Sequence, residues 1–170
     1  INQLDAGYYF YKSKTDIKVP TLRSVLNLIK KKQKYLNIEL KPNKNYEELN
    51  IKNILHEINK ISYNRIYFSS FDLASCIMLK EKAPYLQCGF LNDDFKKFNI
   101  DETIEICKKY NFFNCGINLN FFSNFIVNQF EENDIKVTVY ADKNIPEVQA
   151  QNLWSNKVSS IFIDDPSEYI

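Results

Sequence analysis

Glycine is nearly absent: three residues in 170, beside one histidine, one methionine and one tryptophan. A nucleotide-binding doubly wound sheet needs a glycine-rich first turn, and no GxGxxG occurs. The lone histidine, His56, leaves no base beside the serines of Ser69-Ser70, so a Ser/His nucleophile is unsupported. Four cysteines (Cys76, Cys88, Cys107, Cys115) are scattered, with no CxxC and no Cys/His cluster of zinc spacing. They read as small buried hydrophobes of a reducing compartment, which points to the cytoplasm. No apolar run approaches the roughly 18 residues of a membrane span, and no signal peptide is present. Because the sequence opens on Ile1 and not on Met, a preceding segment is expected. Charge of one sign is lacking too. The 22 Lys and Arg against 21 Asp and Glu are interspersed, which argues against nucleic-acid binding.

What is present is enough apolar material for one domain: 45% hydrophobic residues, with 13 Phe and 11 Tyr. Val19-Pro20-Thr21 opens a helix with Pro20 in its first turn, and Leu22, Val25, Leu26 and Ile29 form its apolar stripe. Lys30, Lys31, Lys32 and Lys34 crowd its end, where they suit the helix dipole; a phosphate-binding role for that run is the alternative to a solvated helix end. Tyr35 to Lys41 alternates with period two and stops at Pro42, a strand with Leu36, Ile38 and Leu40 on one face and Asn37, Glu39 and Lys41 on the other. A helix over 46–62 follows, with His56 beside its apolar stripe. Strands are expected over 65–71, 86–91, 115–119, 135–141 and 158–163. Between them lie helices capped by Asp72 and Asp101, one over 121–132, and one from Pro146 to 156. Strand–helix alternation implies βαβ units and a parallel sheet. Five or six such units fit part of a (β/α)8 barrel, which takes about 250 residues when complete.

In such a barrel, functional groups stand at the C-terminal ends of strands. Glu39 and Lys41 occupy that position and are costly to bury without a partner or a task. They read either as an internal ion pair or as a carboxylate for a hard cation with an ammonium for an anion. Ser69, Ser70 and Phe71 end the next strand, where a hydroxyl lining a pocket or plain turn chemistry is expected.

At these residues the sequence resembles the glycerophosphodiester phosphodiesterase family. Leu4-Asp5-Ala6-Gly7 is similar to its LDAG segment, and Val19-Pro20-Thr21-Leu22 with Val25-Leu26 to its PTL segment. Leu36-Asn37-Ile38-Glu39-Leu40-Lys41 resembles its IElK strand. Ser69-Ser70-Phe71-Asp72, Gly89-Phe90-Leu91, Val137-Thr138-Val139-Tyr140 and Ile161-Phe162-Ile163-Asp164-Asp165-Pro166 follow in the family's order. The resemblance implies a TIM-type barrel of the phospholipase-C-like phosphodiesterase type, here incomplete. It also implies metal-dependent hydrolysis of glycerophosphodiesters to glycerol 3-phosphate and an alcohol, in lipid metabolism. By resemblance, Glu39 ligates a divalent cation (Mg²⁺ or Ca²⁺) and Lys41 lines the phosphate site. Tyr140 walls the substrate pocket or is ordinary core packing, and Phe71 is a second candidate for that wall.

The family's HRG, ExD and HD motifs would lie before Ile1, and none occurs here; His56 matches neither catalytic histidine. The family's threonines are replaced by Ala141 and Ile163, and its asparagine position falls at Lys143, beside Asn144. The expectation is a partial domain over 1–170 that lacks its first strands, carries no catalytic residue of its own, is inactive alone, and needs the N-terminal part of the barrel as its partner. A non-catalytic binding barrel and a related phospholipid-cleaving barrel are the alternatives.

Overall fold

The computed structural model describes residues 4–61 and 64–169. The chain runs through α1 (Tyr8–Tyr11), α2 (Leu22–Lys32), β1 (Leu36–Glu39), α3 (Glu47–Asn59), β2 (Ile66–Ser70), α4 (Leu73–Lys82) and β3 (Gln87–Asn92). It continues through α5 (Ile100–Tyr110), β4 (Asn114–Asn118), α6 (Asn124–Glu131), β5 (Lys136–Tyr140), α7 (Glu147–Ser155) and β6 (Ser160–Ile161). The six strands form one sheet in the order β1-β2-β3-β4-β5-β6, and the pairs from β2 to β6 are parallel. Strand order that follows the chain without reversal has no switch point. It is the winding of a (β/α)8 barrel sheet and not that of a doubly wound fold.

Two compact units divide the chain: residues up to 36 together with 52–65, and 37–51 together with the remainder. In the first, Arg23 of α2 donates to both carboxylate oxygens of Glu57 in α3, at 2.7 and 2.8 Å. Lys30 Nζ donates to the Ile61 carbonyl at 2.7 Å, so the first of the clustered lysines serves the fold. Asp5 accepts the N–H groups of Gly7, Tyr8 and Thr15 and the Thr15 hydroxyl. Those bonds, the Thr15 hydroxyl foremost, hold its carboxyl below the usual range.

In the second unit, strand alternation sorts the sheet into an apolar and a polar face. Phe68, Cys88, Phe90, Cys115, Ile117, Val137 and Val139 lie on the first and are all buried. Leu79, Val127, Phe130 and Leu153, from α4, α6 and α7, are buried as well. The register aligns Ser69 with Gly89, Gly89 with Asn114, and Asn114 with Lys136 on the second face. One layer on, Leu91 aligns with Gly116, Gly116 with Thr138, and Thr138 with Ser160.

The scarcity of glycine has a visible consequence. The left-handed residues that turn the chain are Lys12, Gln33, Asn45, Phe95, Asn111, Asp134 and Lys157, and no glycine has positive φ. Each such residue carries a Cβ penalty of roughly 1 kcal/mol that glycine avoids. The glycines are used for close packing instead: a Cβ on Gly116 would fall onto Leu91, and one on Gly89 would come within 2.9 Å of Asn114 Oδ1.

Several sequence expectations are corrected. Pro20 precedes the cap and does not start the helix, because Thr21 is the N-cap of α2 and accepts the Ser24 N–H. Asn99, not Asp101, caps α5: with Glu102 it forms a reciprocal capping box, which a first-turn aspartate cannot supply. Pro146 is the N-cap of α7, outside the helix proper. The segment expected as helix from 121 opens with a 3-10 turn over Leu119–Phe121 before α6 begins at Asn124. The helix expected over 46–62 spans 47–59, and its last expected residue, Ser62, lies outside the described residues. The last strand is only Ser160–Ile161. Asp72 does cap α4, accepting the Ser75 N–H at 2.9 Å.

Candidate functional site

Three strands carry the candidate side chains on the polar face of the sheet, at or just beyond their C-terminal ends. On β1, Asn37 and Glu39 alternate with apolar Ile38. Asn37 exchanges hydrogen bonds with the Ser69 hydroxyl of β2, at 3.0 and 3.2 Å. The Leu40 N–H donates to the Ser69 carbonyl at 2.8 Å, which locks the end of β1 to β2. Glu39 thereby stands beside a satisfied pair while its own Oε1, buried from solvent, accepts no hydrogen bond. The Lys41 ammonium is 3.3 Å from that oxygen, an ion pair without hydrogen-bond alignment. The Lys41 side chain is 75% exposed against 29% for Glu39. The expectation that both would be interior is therefore corrected: β1 ends at Glu39, so Lys41 lies beyond the strand and its ammonium reaches water. The desolvation cost falls on the carboxylate alone.

Ser70 faces the other way. Its hydroxyl donates to the Leu40 carbonyl at 2.7 Å and accepts the Asp72 N–H at 3.0 Å. That is the turn chemistry expected of it, and it leaves no nucleophile. His56 is exposed on α3.

Phe71 and Tyr140, 69 positions apart in sequence, meet edge to face with ring centroids 5.3 Å apart. The Tyr140 hydroxyl donates to Asp93 Oδ1 at 2.9 Å and lies 3.4 Å from the Asn92 carbonyl. Burial first, and the hydrogen bond to Asp93 second, push its pKa well above the ordinary tyrosine value, so it remains a donor at any working pH. Asp93 was not singled out by sequence reasoning. The Asn92-Asp93-Asp94 run at a strand end was the available signal, but its partner lies two strands away.

Below this layer the polar face is closed. Asn114 Nδ2 donates to the Thr138 hydroxyl at 2.6 Å, and Thr138 shares a 2.7 Å hydrogen bond with Ser160. A cleft of about 200 Å³ opens beside the aromatic pair, lined by Phe71, Leu91, Asp93, Asp94, Lys97 and Phe98 among others. Among the described residues, no group of three or more His, Cys, Asp or Glu is placed to hold a metal ion. Glu39 fits the role of one oxygen ligand, since its buried Oε1 lacks a donor, but a hard cation needs several such ligands.

The glycerophosphoryl diester phosphodiesterase family matches residues 1–168. No curated protein sequence matches the chain. Among solved structures, it is similar to a phosphodiesterase of Oleispira antarctica determined with the product sn-glycerol-3-phosphate. The TM-score is 0.83 at 22% identity, over 95% of this chain and 64% of that one. It is also similar to a candidate glycerophosphoryl diester phosphodiesterase of Silicibacter pomeroyi (0.79, 18% identity, 98% and 61% covered). A third is a glycerophosphodiester phosphodiesterase of Agrobacterium tumefaciens (0.75, 16% identity, 99% and 68% covered). The chain thus spans less than two thirds of the first two. Identities this low establish a shared fold alone. Among the described residues no helix is long and apolar enough to cross a membrane.

Proposed function

Because the chain belongs to the glycerophosphoryl diester phosphodiesterase family, we propose that the protein hydrolyses glycerophosphodiesters to glycerol 3-phosphate and an alcohol, and that residues 1–170 supply part of the site. The observation that carries this reading is the Oε1 of Glu39 at the C-terminal end of β1, buried, without a hydrogen bond, and paired with the Lys41 ammonium 3.3 Å away. A carboxylate that is desolvated and only loosely neutralised suits a ligand that arrives later.

In this reading Glu39 is one ligand of a Mg²⁺ or Ca²⁺ ion, and its other ligands come from residues outside 1–170. When bound, the cation neutralises the diester oxygens and lowers the charge barrier to attack. Lys41, exposed and mobile about its long stem, turns to the phosphoryl oxygens and stabilises their charge in the transition state. Phe71 and Tyr140 wall the organic part of the substrate and keep water from that side. His56 matches neither catalytic histidine of the family, so the acid and base that move protons to the leaving alcohol and from the attacking hydroxyl also lie outside 1–170. Residues 1–170 alone turn over no substrate.

The test is glycerol 3-phosphate release from glycerophosphocholine by the full-length gene product, with and without EDTA, beside Glu39→Ala and Lys41→Ala. Release abolished by EDTA and by Glu39→Ala, and reduced about 10²-fold by Lys41→Ala, is the expected result. EDTA-insensitive release, or full activity in Glu39→Ala, would refute the role given to the carboxylate.

A further inference from the structure

Charge that balances along the sequence does not balance in the fold. The smaller compact unit, residues up to 36 with 52–65, carries eleven lysines and arginines against three acidic residues, a net +8. The rest of the chain carries eleven against eighteen, a net −7. Of the three acids in the basic unit, Glu57 is held by Arg23 through two hydrogen bonds, and Asp5 accepts four donors of its own loop. The unit therefore projects a positive potential, which draws an anionic surface toward it.

The same unit displays consecutive aromatic side chains to solvent. Tyr9 is 84% and Phe10 81% exposed, Tyr8 and Tyr11 are more than half exposed, and no residue of α1 is buried. This aromatic turn is built. Asp5 clasps the N–H groups of Gly7, Tyr8 and Thr15. The Ala6 N–H donates to the Ile17 carbonyl at 2.8 Å, and Asp5 bridges Lys18 in antiparallel pairing. Gly7 is needed for that closure, because a Cβ there would strike the Thr15 side chain. The loop over 5–18 is thus tied at its base and presents four rings at its tip, an apolar patch that folding leaves in water.

Cations surround that tip. Lys12 Nζ lies 4.0 Å from the centroid of the Tyr9 ring, and Lys14 and Lys18 are exposed. Tyrosine joins an apolar body to a polar end, the combination favoured in the headgroup layer of a bilayer. Lysine stems reach from that depth back to the lipid phosphates. A protruding tip gives a nucleic-acid strand no groove to follow. At the far end of α2, about 16 Å along its axis, Lys31 and Lys32 are also exposed and add attraction at a distance.

We infer that the loop over 5–18 is a peripheral membrane contact: the rings of Tyr8 to Tyr11 enter the headgroup layer of an anionic bilayer, and Lys12, Lys14 and Lys18 pair with its phosphates. The inference uses none of the residues given a role in hydrolysis and stands independently of that reading.

The test is co-sedimentation of the full-length protein with vesicles of phosphatidylcholine alone, or of equal parts phosphatidylcholine and phosphatidylglycerol. The anionic vesicles should bind at least about tenfold more tightly, since each lysine near such a surface adds attraction. About 1 M salt, where the Debye length is about 3 Å, should remove most of that preference. Lys12→Gln with Lys14→Gln should weaken binding about tenfold, and Tyr9→Ser with Phe10→Ser by a similar factor, both with an unchanged thermal midpoint. In a Tyr9→Trp variant, the added emission should shift to the blue on anionic vesicles and be quenched by brominated lipid. No binding by the full-length protein would overturn the inference and give the surface to the remainder of the chain or to a protein partner. Binding to a DNA oligonucleotide but not to vesicles would overturn it in favour of a polyanion. Vesicle binding without a shift or quenching of the Tyr9→Trp emission would overturn the entry of the rings.

Discussion

The β1 end of the polar face and its β3–β6 part are built from the same kinds of residue and solved in opposite ways. At the centre, Asn114, Thr138 and Ser160 satisfy one another, and Leu91 occupies the space that Gly116 leaves open. Every group there has its partner inside the chain. At β1, Asn37 and Ser69 are similarly matched, but Glu39 Oε1 is buried without a hydrogen bond. The difference teaches which polar residues of the sheet serve the fold and which are kept for something else. Where a buried oxygen is satisfied, its removal should cost stability; where it is not, its removal should cost function alone.

The centre should break most easily at Gly89. A Gly89→Ala change drives a Cβ to 2.9 Å from Asn114 Oδ1 and 3.2 Å from the Asn114 carbonyl, and backbone cannot yield as a side-chain tip can. A loss of about 3 kcal/mol is expected, seen as a drop of roughly 6–12 °C in the thermal midpoint of the protein. Thr138→Val keeps shape and removes the hydroxyl that pairs with Asn114 and Ser160; calorimetry should report a loss of about 2 kcal/mol. If either substitution were tolerated without cost, the closed character of the centre would be wrong.

A pH series sharpens the same contrast on the apolar face. Cys115 is raised well above its ordinary thiol pKa, by burial first and by Cys107 second, and Cys76 is raised by its contact with Cys88 and by burial. A folded pKa above the unfolded one means the unfolded chain sheds its protons first. The stabilisation is complete below about pH 8.5, the unfolded thiol value, and falls as pH rises above it. The slope expected is about 1.4 kcal/mol per pH unit per thiol, read as a falling midpoint between pH 8 and 10. A Cys76→Ala, Cys115→Ala double variant should flatten it.

Smaller effects are expected at the surface and at β1. Gln33→Gly, replacing a left-handed residue at the end of α2 (φ 54°), should stabilise by about 1 kcal/mol. Glu39→Gln should move the thermal midpoint by less than about 0.5 kcal/mol equivalent, while abolishing metal-dependent activity. A large destabilisation by Glu39→Gln would make Glu39 and Lys41 a structural pair and erase the distinction between the two regions.

Much of this was legible from local rules. Period-two alternation marked β1, because a strand with one apolar and one polar face must alternate. Asp72 stood where a cap stands and is one, whereas Pro20, placed in the first turn of α2, lies before the cap, which is Thr21. Asn99 was missed in favour of Asp101 because both residues can cap; the deciding feature, Glu102 three residues on, was present in the sequence and unread. The short β6 was overestimated because Val158 and Ile163 extend the apolar pattern beyond the two residues that pair with β5. Glu39, Lys41, Phe71 and Tyr140 were nominated by motif and by position at strand ends. Asp93 was not, since a carboxylate in a loop acquires a role only from what faces it.

The sequence by itself determined the alternation of strands and helices, the polar face of β1, the burial of all four cysteines and the exposure of His56. Each follows from spacing or composition within a few residues, where propensity and periodicity act. Only the tertiary structure decided that strand order follows the chain, that Lys41 stands in water while Glu39 is mostly covered, and that Phe71, Asp93 and Tyr140 meet. Those facts depend on parallel register between strands separated by whole helices, and on where a strand stops relative to its neighbours. No local pattern encodes either.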